Sequence, residues 1–281
     1  MTEVFLPETL EALWPLLERH REALIYAGGT DLLVKRRIGL LDPPSLICLE
    51  RLAALRDVAD QGEGVWIGAG STHADLLKHP LILTHFPVLI EALKVLGSPL
   101  VRESGTIGGN IVTASPAGDT LPPLMVLGAE LEIQSANQHR SIPIRDFIQG
   151  PGRTLLAPGE ILAGIRIKKQ PEFTVHHFEK VGQRRALAIA LVSLAALLQI
   201  DENQRVQKAR LAWGSVGPTI VTCREAEAVL EGNPLSLETL GKAALPARRA
   251  VSPIDDVRAS ADYRRQVAGN LLLRLSEFNR A

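Results

Sequence analysis

Ala23-Leu24-Ile25-Tyr26-Ala27-Gly28-Gly29-Thr30-Asp31-Leu32 is the stretch that decides the fold of this chain. Its first five residues form an apolar run of strand length, and an amphipathic helical pattern follows from about Leu32 to Ile38. Pro43-Pro44 breaks the chain, and Ser45-Leu46-Ile47-Cys48-Leu49 resumes as a strand. A strand, a paired-glycine turn, a helix and a second strand in this length predict a βαβ crossover. Paired glycines permit positive φ angles and let backbone N–H groups approach a phosphate, and a helix N-terminus adds free amides and partial positive charge. The plainer reading of the same residues, a tight turn with Thr30 or Asp31 as helix N-cap, stays open at this point.

Outward from this unit, Leu6, Leu10, Leu13 and Leu17 stand at helical spacing, with Pro15 expected to bend or end that helix. Leu55–Ala59 and Val65–Gly68 flank Asp60-Gln61-Gly62-Glu63-Gly64, a hairpin signal. Helices are expected near His73–Lys78, Pro87–Leu96 and Leu121–Leu127, with a second glycine-rich loop at Gly105–Asn110. Ala129–Ile167 reads as short strands with turns at Ala136–His139 and Pro158-Gly159. A boundary is expected near Gln170-Pro171. Strands at Val175–Val181 and Val206–Trp213 flank the apolar run Ala186–Ile200. Periodicity leaves that run open between buried helix and buried strand. The polar turn Asp201-Glu202-Asn203-Gln204 and the matching strand beyond it favour a strand. The tail reads as three helices, Cys223–Leu230, Leu235–Ala244 and Ala261–Phe278.

Composition narrows the function. The 281 residues carry 31 Lys+Arg against 31 Asp+Glu and only 4% aromatics. That balance argues against nucleic acid or an anionic membrane as the main ligand. Cys48 and Cys223 are isolated, so neither a disulfide framework nor a four-cysteine iron–sulfur site is expected in this chain. The start at Met1-Thr2-Glu3-Val4 lacks the pattern of a signal peptide, and Ala186–Ile200 is shorter than the ~20 residues of a membrane-spanning helix. A cytoplasmic protein without membrane insertion is the expectation.

Gly105-Thr106-Ile107-Gly108-Gly109-Asn110 and Ala114-Ser115-Pro116-Ala117-Gly118-Asp119 crowd small residues, hydroxyls, an amide and a carboxylate into fifteen positions. Asp119 can accept from ribose hydroxyls, and Thr106 and Asn110 can donate to phosphate or ring oxygens. Other signals are weaker. Gly68-Ala69-Gly70-Ser71-Thr72-His73 lacks the third glycine of a dinucleotide fingerprint and reads as a strand end and turn. His176 and His177 alternate across a strand, which is incompatible with chelation from one face. Arg184-Arg185 reads as a solvated hairpin tip, and Ser115 has no His–Asp partners nearby. No catalytic residue and no metal ligand is therefore expected.

The two glycine-rich stretches resemble the FAD-binding subunit of molybdenum hydroxylases, the group of xanthine dehydrogenase and carbon monoxide dehydrogenase. The likeness rests on Ala27–Leu32, on Thr106–Asn110 and on Asp119 nine residues after Asn110. It continues through Ile67–Thr72, Phe178–Arg185, Gly214–Thr219 and Asp256–Arg264, nearly the whole chain. It implies an α+β fold, with a two-lobed PCMH-type FAD-binding domain over 1–170 (lobes about 1–54 and 55–170) and a C-terminal antiparallel sheet with helices over 171–281. It implies that backbone groups of Ala27, Gly28, Gly29, Thr30 and Asp31 hold the FAD pyrophosphate, with Thr106, Gly108, Gly109 and Asn110 on its other side and Leu32 also at the cofactor. Asp119 would anchor the ribose or ribityl region, Leu96 would cover the isoalloxazine ring, and Leu162 would lie by the dimethylbenzene or adenine end. Lys180 would lie near the flavin, where a cation favours the reduced, anionic form.

The resemblance further implies a subunit that takes electrons from 2Fe-2S clusters on a small subunit, fed by a molybdopterin-bearing large subunit. It would pass them to NAD, a quinone, ferredoxin or oxygen. Three departures bear on this. Animal members carry an aromatic residue where Leu96 stands, and leucine covers a ring without stacking on it. Their acidic residue after Arg185 is replaced by Ala188, which weakens NAD as the acceptor; a cysteine-rich insertion found in hydroxybenzoyl-CoA reductases is missing. Two other readings remain: a self-contained flavin oxidase or reductase, which would need an acid–base pair over the ring, and a flavin-free scaffold, which both glycine pairs argue against.

Overall fold

The structure, a computed structural model, describes residues 2–278, so Met1 and residues 279–281 at the ends of the expected domains lie outside the described residues. In chain order the elements are β1 (Glu3–Phe5), α1 (Leu10–Arg19), β2 (Leu24–Tyr26), α2 (Leu32–Arg37), β3 (Ser45–Cys48), β4 (Val58–Asp60) and β5 (Gly64–Gly68). Then come α3 (His73–Lys78), α4 (Pro80–His85), α5 (Pro87–Val95), α6 (Pro99–Ser104), α7 (Ile107–Thr113) and α8 (Leu121–Val126). They are followed by β6 (Glu130–Gln134), β7 (His139–Pro143), α9 (Ile144–Phe147), β8 (Ile148–Gly150), β9 (Arg153–Thr154) and β10 (Ile161–Lys168). Last are β11 (Val175–Val181), β12 (Val192–Ile200), β13 (Val206–Gly214), β14 (Val221–Thr222), α10 (Arg224–Leu230), α11 (Leu237–Ala250) and α12 (Ala261–Leu273). The chain divides into two compact units, each assembled from three stretches.

The first unit comprises Met1–Leu81, Ser98–Ala114 and Ala129–Lys168. It contains the predicted crossover: β2 pairs parallel with β3 across α2. The sequence reading missed β1, which also pairs parallel with β3; three residues are too few to show a period. Phe5 and Ile47, in register on one face, join Leu13 and Leu17 of α1 in a small core. Helix α1 passes through Pro15 and ends only at Arg19. Pro15 is exposed, so the carbonyl it leaves without an N–H faces water. The unit's second sheet, β4-β5-β10-β6-β7, is antiparallel. Its β4–β5 pair is the predicted hairpin.

The second unit comprises Ile82–Gly97, Ser115–Gly128 and Lys169–Ala281. Its antiparallel sheet runs β11-β12-β13-β14. The apolar run is a strand from Val192 onward, and seven consecutive residues of β12 are buried. Burial on both faces explains why no alternation was visible in the sequence. Leu194, Ala196 and Leu198 point into a core shared with α10, α11 and α12. The opposite face meets α5 and α8, the helices of the two earlier stretches. A Cβ on Gly214, at the end of β13, would touch Pro122 of α8. Helix α11 continues past the expected end at Ala244 and carries Pro246 within it.

Candidate functional site

In the first unit the paired glycines sit between β2 and α2 for two separate reasons. Gly29 has φ +68°, a left-handed conformation that glycine adopts without strain. Gly28 is side-chain-free because of a close approach: a Cβ there would overlap the Ser104 carbonyl. The first amide of this turn with an internal partner is that of Leu33, which donates to the Gly29 carbonyl at 3.1 Å. The preceding amides through Leu32 are the open end of the helix. Asp31 occupies the N-cap position but makes no side-chain cap bond. Its carboxylate takes a bond from Lys35 Nζ at 2.7 Å instead. Among the described residues the amides of this turn before Leu33 have no internal partner, and unpaired amides are the group that a diphosphate requires.

The stretch expected as a second loop is the start of α7. Thr106 is its N-cap, and its hydroxyl accepts from the Gly109 amide at 3.1 Å. The Ile107 and Gly108 amides donate to the Ser71 and Ala69 carbonyls at 3.0 and 2.9 Å, and the Asn110 amide to the Thr106 carbonyl at 3.0 Å. A Cβ on Gly108 would lie 2.5 Å from that of Ala69. So Gly108 allows α7 to press against the chain leaving β5, and these amides are engaged within the protein. At this helix start the Thr106 hydroxyl hydrogen and the exposed backbone at Gly109 are groups that a ligand can reach.

The two segments are neighbours. Thr113 Oγ1 donates to Asp31 Oδ2 at 3.5 Å, and a Cβ on Gly105 would lie 3.4 Å from Thr30 Oγ1. Leu162 is buried on β10, opposite Ile133 at a bulge, and the next residue, Ala163, accepts from the Ala69 amide. His73, the first residue of the helix expected near His73–Lys78, is buried beside Gly105, and its backbone N–H donates to the Gly105 carbonyl at 3.0 Å. Burial, with Arg102 nearby, pushes the imidazole down to about 4.

In the second unit, Asp119, Lys180 and Leu96 come together. Lys180 Nζ lies 2.6 Å from Asp119 Oδ2, and each side chain is 8% exposed. The same ammonium donates to the Val95 carbonyl at 3.1 Å, next to buried Leu96. Burial pushes the Asp119 carboxyl up to about 6, against the opposing pull of Lys180. Asp119 Oδ1 is buried with no hydrogen-bond partner. An ionised carboxylate held in that state costs free energy unless something donates to it. A sugar-alcohol hydroxyl of a bound nucleotide is such a donor, and so the group fits. Asp119 also compensates the Lys180 charge, leaving the pair neutral while the carboxyl is ionised.

The comparisons with known proteins decide the family. Residues 1–169 match the FAD binding domain in molybdopterin dehydrogenase, and residues 177–277 match the CO dehydrogenase flavoprotein C-terminal domain. The chain is an FAD-binding subunit of the molybdenum hydroxylase family. It is 32% identical over 249 residues to the nicotinate dehydrogenase FAD-subunit of Eubacterium barkeri, covering 87% of this chain and 84% of the relative. It is 30% identical over 264 residues to the carbon monoxide dehydrogenase medium chain of Hydrogenophaga pseudoflava, covering 94% and 91%. A solved Cu,Mo-CO dehydrogenase chain superposes with a TM-score of 0.93 at 29% identity, over 99% of this chain and 97% of that one. As a flavoprotein component of an oxidoreductase, the chain has the α+β architecture that the glycine stretches implied.

Two further stretches of the family likeness have structural uses. Asp256 Oδ1 accepts from the Arg258 amide at 2.8 Å and from Arg264 Nη2 at 2.7 Å. Buried Arg264 also donates to the Leu191 and Ser215 carbonyls at 3.0 and 3.3 Å. It thereby ties Asp256–Arg264 to Gly214–Thr219 and to the entry of β12. Ser260 caps α12 by accepting from the Tyr263 amide. The sequence offered no sign that this arginine is internal.

Proposed function

We propose that this subunit relays electrons: it takes them from 2Fe-2S clusters on a small partner subunit and delivers them to an external acceptor. Substrate oxidation belongs to a molybdopterin-bearing large subunit. The bound FAD supplies one- and two-electron redox chemistry, which links single-electron clusters to acceptors of either kind. The observation that carries this reading is the likeness along nearly the full length to chains named for different substrates. Nicotinate and carbon monoxide share no recognisable chemistry, yet the nicotinate dehydrogenase FAD-subunit and the carbon monoxide dehydrogenase medium chain are 32% and 30% identical to this chain. The residues that select a substrate therefore lie on another subunit.

Within the site, the amides from Ala27 to Leu32 hold the pyrophosphate. Thr106, Gly109 and Asn110 face it from the other side, with Gly108 setting the position of α7. Asp119 Oδ1 accepts from a ribityl or ribose hydroxyl, Lys180 fixes the Asp119 carboxylate, and Leu96 and Leu162 supply apolar cover for the rings. NAD, a quinone, ferredoxin and oxygen remain candidate acceptors, with Ala188 disfavouring NAD. Among the described residues no helix is long and apolar enough to cross a membrane, and the working location is the cytoplasm.

The test is purification with endogenous partners followed by an absorption spectrum and acceptor assays. Flavin bands together with iron–sulfur absorbance from a co-purifying small subunit are expected. A purified monomer that oxidises an organic substrate unaided would replace this reading with that of a self-contained flavin enzyme.

A further inference from the structure

Helix α2 buries none of its residues. A short helix in a protein owes most of its stability to burying an apolar face, and α2 is not short of apolar residues. Val34 and Ile38, one turn apart on the same side, are 56% and 64% exposed, and Leu40 beyond the helix is 69% exposed. Alongside runs a groove of about 570 Å³ lined by Leu33, Arg36, Arg37, Gly39, Leu41 and Asp42. Single exposed apolar residues need no explanation, but a run of them over one helix and its exit marks an interaction surface.

Its charge indicates what fits. Lys35 is neutralised by Asp31 at 2.7 Å. Arg36 bonds a neutral group, the Thr2 hydroxyl at 2.8 Å, and keeps its charge. Arg36 and Arg37 therefore face a single carboxylate, Asp42, along the groove. A two-fold contact with a second copy would set this cationic groove against itself. A six-residue helix, ~9 Å long, is also too short to anchor on a lipid surface.

We propose that α2 and the groove beside it dock a partner subunit of the hydroxylase complex through an apolar face fringed with carboxylates. This rests on the reading of the chain as one subunit of a hetero-oligomer. The groove starts at Leu33, beside the Gly29 turn, whereas the exposed residues Ile38 and Leu40 and the arginines Arg36 and Arg37 lie toward the other end of α2.

The experiment uses the co-expressed complex with a tag on a partner subunit. Two variants of this chain are compared with wild type: Ile38→Asp combined with Leu40→Asp, and Arg36→Glu combined with Arg37→Glu. Each is first checked for an unchanged unfolding transition of the full-length chain. Hydrogen exchange over residues 33–41 is measured for the wild-type chain free and in the complex. Slowed exchange in the complex and at least tenfold less co-purifying partner for both variants are expected. Unchanged stoichiometry in both variants, or exchange that is the same free and assembled, overturns the proposal. So does a wild-type homodimer that these substitutions disperse while the complex persists, or co-sedimentation of the free chain with anionic vesicles through this face. In those cases the electron-relay reading stands, provided the complex still passes electrons to an acceptor. A wild-type chain that assembles with no partner at all overturns both.

Discussion

The candidate flavin-binding groups are made of different materials in the two units. In the first unit the elements are main-chain groups: the turn at Gly29, the amides that open α2, and a helix start capped by Thr106. In the second they are two buried side chains, Asp119 and Lys180, 61 positions apart in sequence. A backbone site is sensitive to any added atom and indifferent to charge. A buried ion pair tolerates small changes of shape and fails when one charge is removed. Substitutions that separate these two sensitivities put the contrast to the test.

The largest effect is expected at Gly28. A methyl group there meets the Ser104 carbonyl, which belongs to the backbone and has no rotamer to escape into. Gly28→Ala should cost about 3 kcal/mol or more in stability and remove flavin as a consequence. Denaturant unfolding read with flavin content measures both; a fully stable variant would mean that Ser104 is not where the structure puts it.

Next comes Lys180→Met. It strands a carboxylate that is already short of partners, and the expected loss is about 3 kcal/mol. Replacing both residues, as Lys180→Met with Asp119→Leu, should recover most of that stability without restoring flavin affinity. A double-mutant cycle measures the coupling, and a coupling near zero would reduce the pair to a surface contact.

Gly29→Val is smaller in stability, about 1–3 kcal/mol for a β-branched residue at positive φ, but its effect on flavin is expected to be complete. The incoming side chain also meets Leu33, whose Cδ1 would lie 2.6 Å from the new Cβ. A well-folded Gly29→Val protein with a normal flavin content would take this turn out of the site.

The same contrast explains what could be read from the sequence. The crossover around Gly28-Gly29 was legible because its signals are local: an apolar strand, glycines, a helix and a proline break within some twenty-five residues. The start of α7 was read as a loop because Gly108 and Gly109 suppress helical propensity. Only the Thr106 cap and the close approach of Ala69 account for glycine in a helix there. The grouping of α5 and α8 with the C-terminal sheet was invisible, since it depends on which helices cover the second face of β12. Asp119 was visible as the carboxylate closing the second glycine-rich stretch, whereas its partner came only through the family likeness. The missing donor to Oδ1 and the internal position of Arg264 are properties of three-dimensional packing with no local sequence signature.

The smallest net effect on stability, and the most discriminating, is the response to acid. His73 in the first unit is pushed down to about 4 from the ordinary 6.5. Between those values the unfolded chain binds a proton that the folded chain refuses, so stability is lost as pH falls from 6.5 toward 4. Asp119 in the second unit is pushed up to about 6 from 3.8. Here the folded chain holds the proton that the unfolded chain has released, so stability is gained as pH falls from 6 toward 4. Each group contributes about 1.4 kcal/mol per pH unit at most, and with opposite sign. Hydrogen exchange resolved along the chain should therefore show protection falling around α3 and rising around α8 over the same acid step. His73→Phe should flatten the first response alone and Asp119→Asn the second alone. Flavin retention should follow the second unit in the reverse sense, weakening below pH 6, because a protonated Asp119 is a poorer acceptor for a sugar hydroxyl. If both regions lose protection together in both variants, neither buried group governs its own unit, and the distinction between a backbone site and a charge-pair site has no consequence for acid stability.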